Sequence, residues 1–117
     1  MPIYEESDVV TVTTDSAGDA VVTSRVKRGR VLSITYVKTD FATGVDVSIV
    51  TAITRRPLWV ELNVDADQTV APSALIQDTA GVDTTNRDYI WLGNEAVEIT
   101  ISNGGVSKVG VFHILVG

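Results

Sequence analysis

Val, Ile and Thr together fill roughly 37% of the 117 positions, and this excess constrains the fold before any motif is considered. Two heavy atoms on Cβ stiffen χ1 and fit a pleated, half-buried surface better than a helix. The expectation is an all-β chain. No segment with helical periodicity runs longer than two turns, and apolar and polar residues alternate instead. In Val97-Glu98-Ile99-Thr100-Ile101-Ser102 the two classes separate onto opposite faces. Val45, Val47, Ile49 and Thr51 oppose Asp46, Ser48 and Val50 in the same way, and Leu58, Val60, Leu62 and Val64 oppose Trp59, Glu61 and Asn63. Further strands are expected at 9–13, 19–26, 30–38, 68–71 and 89–92, while 79–87 reads as a polar loop.

The runs are separated by Asp15-Ser-Ala-Gly-Asp19, Lys27-Arg-Gly-Arg30, Thr39-Asp-Phe-Ala-Thr-Gly44, Arg55-Arg-Pro57, Asp65-Ala-Asp67 and Leu92-Gly-Asn-Glu95, whose Gly, Pro, Asn and Asp residues supply turn chemistry. Asn103-Gly-Gly105 offers the positive-φ positions of a tight turn and predicts a hairpin between 97–102 and 106–116. Strands recurring about every ten residues predict an antiparallel, jelly-roll-like sandwich or small barrel of about eight strands. Residues 1–8 are expected to be an arm preceding a single domain at 9–117.

Nine Lys and Arg stand against 15 Asp and Glu, giving a net charge of −6. Affinity for a phosphate backbone comes mostly from clustered cations, so nucleic acid is not an expected partner. The first residues lack the basic and apolar regions of a secretory leader, and no run approaches the roughly 18 apolar residues of a membrane span. A membrane is therefore not expected as a partner either.

Candidate chemistry is sparse. There is no Cys and one His, His113, so a transition-metal site would need an all-carboxylate remainder. Ser/His/Asp catalysis would have to use that same His without a Gly-x-Ser-x-Gly elbow. No glycine-rich phosphate loop occurs. The Asp15–Asp19 and Asp65–Asp67 clusters lack calcium-loop spacing and read more simply as turns. The expectation is a non-enzymatic protein with no cofactor and no metal.

Interaction surfaces are better represented. The final strand carries Val109, Val111 and Leu115 on one side and Phe112, Ile114 and Val116 on the other, a pattern that fits a central, covered strand or a subunit interface. Trp59 and Trp91 belong to the residue types that dominate binding hot spots. Arg25-Val-Lys-Arg-Gly-Arg30 and Arg55-Arg56 form local positive patches on an acidic protein, suited to a carboxylate-rich partner. The N-terminal Ile3 and Tyr4 suit an arm that adds along a neighbour. The candidate interface residues are Ile3, Tyr4, Arg28, Arg30, Trp59, Trp91, Phe112 and Ile114.

Asp15-Ser-Ala-Gly-Asp-Ala-Val21, Arg30-Val-Leu-Ser-Ile-Thr-Tyr36, the 72–81 segment ending Gln-Asp-Thr-Ala-Gly, and Ile101-Ser-Asn-Gly-Gly through His113-Ile-Leu-Val-Gly117 together resemble a family of small virion-structure proteins of tailed bacteriophages. The resemblance spans nearly the whole chain but rests on turn and strand patterns. It implies a capsid decoration, or cement, protein made in the host cytoplasm and bound to the major capsid protein on the outer shell of the virion. A homo-oligomer, such as a trimer, fits the two-faced final strand. The alternatives are a head–tail or tail component and, from another class, a carbohydrate- or cell-surface-binding module.

Overall fold

The computed structural model describes residues 6–117, with side chains from Ser7 onward. The strands are β1 (Glu6–Thr13), β2 (Ala20–Thr23), β3 (Lys27–Lys38), β4 (Asp46–Thr51), β5 (Pro57–Glu61), β6 (Gln68–Val70), β7 (Ser73–Gln77), β8 (Asp83–Tyr89), β9 (Trp91–Glu95), β10 (Val97–Ser102) and β11 (Val109–Val116). No helix forms among these residues.

One sheet has the order β1-β11-β3-β6, with β9 also paired to β3, and the other has the order β2-β10-β4-β5. All pairings are antiparallel. Two four-stranded sheets connected in this order make a jelly roll of eight strands, namely β1–β6, β10 and β11. The other three, β7, β8 and β9, are inserted between β6 and β10. The twelve-residue β3 curls the first sheet, pairing with β9 through its first half and with β6 through its second.

Inward side chains alternate as a period of two requires. Val10 and Val12, Ile34 and Tyr36, and Phe112, Ile114 and Val116 meet Val47 and Ile49 with Val97, Ile99 and Ile101 across the core. Tyr36 stacks between Phe112 and Phe41 at ring-centroid distances of 5.1 and 6.1 Å. Gly110 lies beneath the Phe41 ring so closely that a Cβ there would overlap it.

Three expectations are corrected. First, β10 and β11 are not a hairpin, since β10 pairs with β2 and β4 while β11 pairs with β1 and β3. Asn103 and Gly105 do adopt positive φ, but in an arch between the sheets. There Gly104 N–H donates to the Gly18 carbonyl and Ala42 N–H to the Gly104 carbonyl, both at 2.9 Å. Each strand has its own apolar face, and the two faces oppose each other across the core.

Second, β5 presents the reverse of its expected faces. Trp59 is buried at 6% exposure while Val60 and Leu62 are 61% and 68% exposed. The register slips between Ile49 and Val50, so Pro57 pairs with Val50 and Trp59 with Ile49. Leu58, buried at 7% as expected, is the extra residue of a bulge that turns the side chains after it to the other face, until Asn63, at φ 57°, precedes Val64, which is buried as expected at 1%.

Third, three stretches expected as loop or turn are strand: 83–87 belongs to a β7–β8 hairpin, and 27–30 and 92–95 pair with each other as the β3–β9 ladder. At the N-terminus, Glu6 to Asp8 already pair with Val116 to Ile114. The domain therefore begins ahead of residue 9. Ile3 and Tyr4 lie outside the described residues.

A candidate interaction surface at the root of the hairpin

Interface candidates fall into two groups. Phe112 and Ile114 are 0% exposed and Trp59 is edge-on to Phe112, with centroids 6.4 Å apart, its indole N–H donating to Glu61 at 3.2 Å. These three side chains form the core of the sandwich and are not available to a partner. The two-faced pattern of β11 has a simple origin, because the strand is central between β1 and β3. Its outer face, with His113 and Leu115, lines a shallow depression of about 380 Å³ together with Ser7, Ser33, Thr35 and Val37.

Arg28, Arg30 and Trp91, by contrast, come together. Arg30 pairs with Trp91 and Arg28 with Gly93 across the β3–β9 ladder. Partners in one register share a face, and here it is the outward one. The Arg30 guanidinium lies 5.9 Å from the Trp91 ring and 5.4 Å from that of Tyr89. Trp91 is 55% and Tyr89 41% exposed. The Arg30 side chain also donates to the Gly117 carbonyl at 3.1 Å, so its head is held in place. Arg56 donates to the Trp91 carbonyl from the β4–β5 loop.

Beneath this ledge, buried polar groups fix the backbone. Asn94, at φ 60°, is the bulged residue between Gly93 and Glu95, and the bulge turns Glu95 inward to 3% exposure. Its carboxylate accepts from the Thr54 hydroxyl at 2.8 Å and the Thr54 N–H at 3.1 Å. Burial pushes the Glu95 carboxyl upward, but the bonds from Thr54, Thr51 and Ile53 outweigh it and hold the group below its ordinary range. Asp8 lies 3.5 Å from the buried Lys27 ammonium and 3.4 Å from Arg25.

From the same root projects the β7–β8 hairpin. Every residue of β7, and all of β8 except Thr84, is exposed. Its side-chain bonds are internal. Arg87 donates to Ser73 through Nε and Nη2 at 2.9 Å, and Asp78 accepts from the N–H groups of Ala80 and Val82. Leu75, Ile76 and Val82 stand exposed along it. The radius of gyration is 15.0 Å, above the roughly 13 Å of a compact chain of this length. A cleft of about 220 Å³ at the foot of the hairpin is lined by Ala71, Pro72, Ser73, Arg87, Asp88 and Tyr89.

Tyr89 was not among the sequence candidates. The signal lay in Tyr89-Ile90-Trp91, where a buried Ile between two aromatics places both rings on one side of an extended chain. Elsewhere, no three His, Cys, Asp or Glu side chains converge among the described residues. The Asp15 carboxylate takes the N–H groups of Asp19 and Ala17, which hold it below its usual range. Asp65 accepts from Gly44 N–H and Asp67 from Lys38 N–H. No protein-family model matches the chain, and no curated protein shows significant sequence similarity to it.

Proposed function

We propose that the chain is a non-enzymatic structural protein of a tailed-phage virion, attached to the outer surface of the major capsid shell as a decoration protein. The observation that carries the reading is the β7–β8 hairpin. A two-stranded ribbon is at best marginally stable by itself in water, and this one leaves Leu75 39%, Ile76 43% and Val82 59% exposed. Such an arm acquires its packing from a partner. The family resemblance names the partner as a capsid subunit. The jelly roll is compatible, being a framework used by viral capsid and lectin domains, although a fold alone does not assign a function. Many copies binding only the assembled shell would stabilise it by mass action.

The test is co-sedimentation of the purified protein with shells of the encoding phage assembled without it. Saturable binding to shells, lost on Leu75→Asp/Ile76→Asp, is the expected result; no binding to intact shells contradicts the reading.

A second reading is favoured by the exposed Trp91 and Tyr89 beside the 220 Å³ cleft. Aromatic faces next to polar groups suit a sugar ring, and lectin domains share this architecture. Binding on a glycan array that disappears with Trp91→Ala would select it.

A further inference from the structure

The charges of this chain are sorted along the sandwich. At one end the β1–β2, β3–β4, β5–β6 and β10–β11 loops gather, tied by Gly104 N–H to the Gly18 carbonyl and by Asn103 Nδ2 to Asp46 at 2.9 Å. They carry Asp15, Asp19, Asp40, Asp46, Asp65 and Asp67, with only Lys38 and Lys108 nearby in sequence. At the other end meet the β2–β3, β4–β5 and β9–β10 connections, tied by Ser24 N–H to the Val97 carbonyl and Ala52 N–H to the Ala96 carbonyl. These bring together Arg25, Lys27, Arg28, Arg30, Arg55 and Arg56. Six of the nine cations thus crowd one end of a molecule whose net charge is −6.

Part of that positive charge is neutralised locally. Asp8 faces Arg25 and Lys27, Glu98 bonds Arg55 at 2.8 Å, and Glu95 lies 4.0 Å from Arg56. Among the described residues no Asp or Glu side chain pairs with Arg28 or Arg30. Both lie on the outward face with Trp91, and Gly93 leaves the surface beside Arg28 open.

We propose that this arginine–aromatic ledge docks the acidic loop end of a second copy of the chain, giving a head-to-tail contact. Charge complementarity selects the occupant. The acidic end projects carboxylates from rigid turns, several with one oxygen already used by a backbone N–H and the other left to accept. The guanidinium of Arg30, held by Gly117 and flanked by two rings, is preorganised to donate to them. Range matters as well. The eight residues of β11 (Val109–Val116) run roughly 26 Å between the two ends, while the screening length at about 0.1 M salt is roughly 10 Å. An approaching copy therefore senses the near end and not the net charge. A contact between two different surfaces is heterologous, so it propagates into a ring or a short filament unless an end is blocked.

The contact does not rest on the capsid reading, and it uses the ledge where that reading uses the hairpin. Sedimentation velocity over a concentration series tests it. In about 0.1 M NaCl the wild-type sedimentation coefficient should rise with concentration, and in about 1 M NaCl, where screening shortens to roughly 3 Å, the rise should vanish. Arg28→Gln/Arg30→Gln, which neutralises the ledge, and Ser16→Lys/Asp19→Lys, which makes an exposed turn at the far end basic, should each weaken association by at least about tenfold. Each variant retains one working end, so their equimolar mixture should form dimers and stop there. Circular dichroism of both variants checks that the fold persists. A wild-type monomer at every concentration in 0.1 M salt overturns the proposal, as does association that survives both variants or a mixture that does not pair.

Discussion

The Arg30 guanidinium is held over the indole of Trp91, its register partner on the neighbouring strand, at 5.9 Å from the ring centroid. Two of the residues that sequence patterning nominated separately are thereby one physical unit. At a partly exposed site such a pair contributes about 0.5–1 kcal/mol. A double-mutant cycle of Arg30→Ala and Trp91→Ala, followed by urea unfolding, should return a coupling of that size. Additive losses would mean the ring and the cation are neighbours without interaction.

Tyr36 is 0% exposed, its hydroxyl has no hydrogen-bond partner among the described residues, and burial with the nearby Asp67 charge pushes its pKa up to about 12. A raised pKa stabilises the fold fully below the unfolded value of about 10 and does so less as pH climbs from there toward 12. Stability should decline over that window by up to about 1.4 kcal/mol per pH unit, with one tyrosine ionising late in an ultraviolet titration. Tyr36→Phe removes an unpartnered buried hydroxyl. It should leave stability at neutral pH unchanged or about 1 kcal/mol higher and abolish the late ionisation.

Glu95 gives the opposite limb. Its carboxyl is held low by Thr54, so its contribution is present above the unfolded value near 4.3 and is lost as pH falls through the lower folded value. Glu95→Gln should be less stable at pH 7 and should lose less stability on acidification than wild type. Parallel acid limbs for the two proteins would exclude a role for this carboxylate.

Gly110 has no room for a side chain under Phe41. Gly110→Ala should cost about 1–3 kcal/mol by overpacking, read as a fall in Tm, whereas Gly93→Ala, with open space around it, should cost less than half as much.

Much of this fold is legible in the chain. The alternation at 97–102 marks β10 at both ends, and its outward Glu98 and Thr100 separate from inward Val97, Ile99 and Ile101 as written. A turn sequence, however, specifies local dihedrals and not which sheet the chain enters next. Asn103-Gly-Gly105 therefore suits the arch to β11 as well as it suits a hairpin. The bulge at Leu58 is invisible to a strict period of two, and with it the burial of Trp59. The β8 strand is hidden for another reason, since a ribbon with no fully buried residue needs no apolar alternation. At the site, Arg28, Arg30 and Trp91 were legible by residue type, but their union depends on the β3–β9 pairing. Phe112 and Ile114 misled because a central strand is apolar on its inner face whether or not its outer face meets a partner.

The proposed role, a capsid-surface protein that binds through its projecting arm, is best checked by electron cryomicroscopy of virions of the phage proposed to encode it. Jelly-roll density repeated over the outer shell, with the β7–β8 hairpin buried against the major capsid protein, is the expected result. Density confined to the tail or connector, or shell-bound density with the hairpin facing solvent, would contradict it.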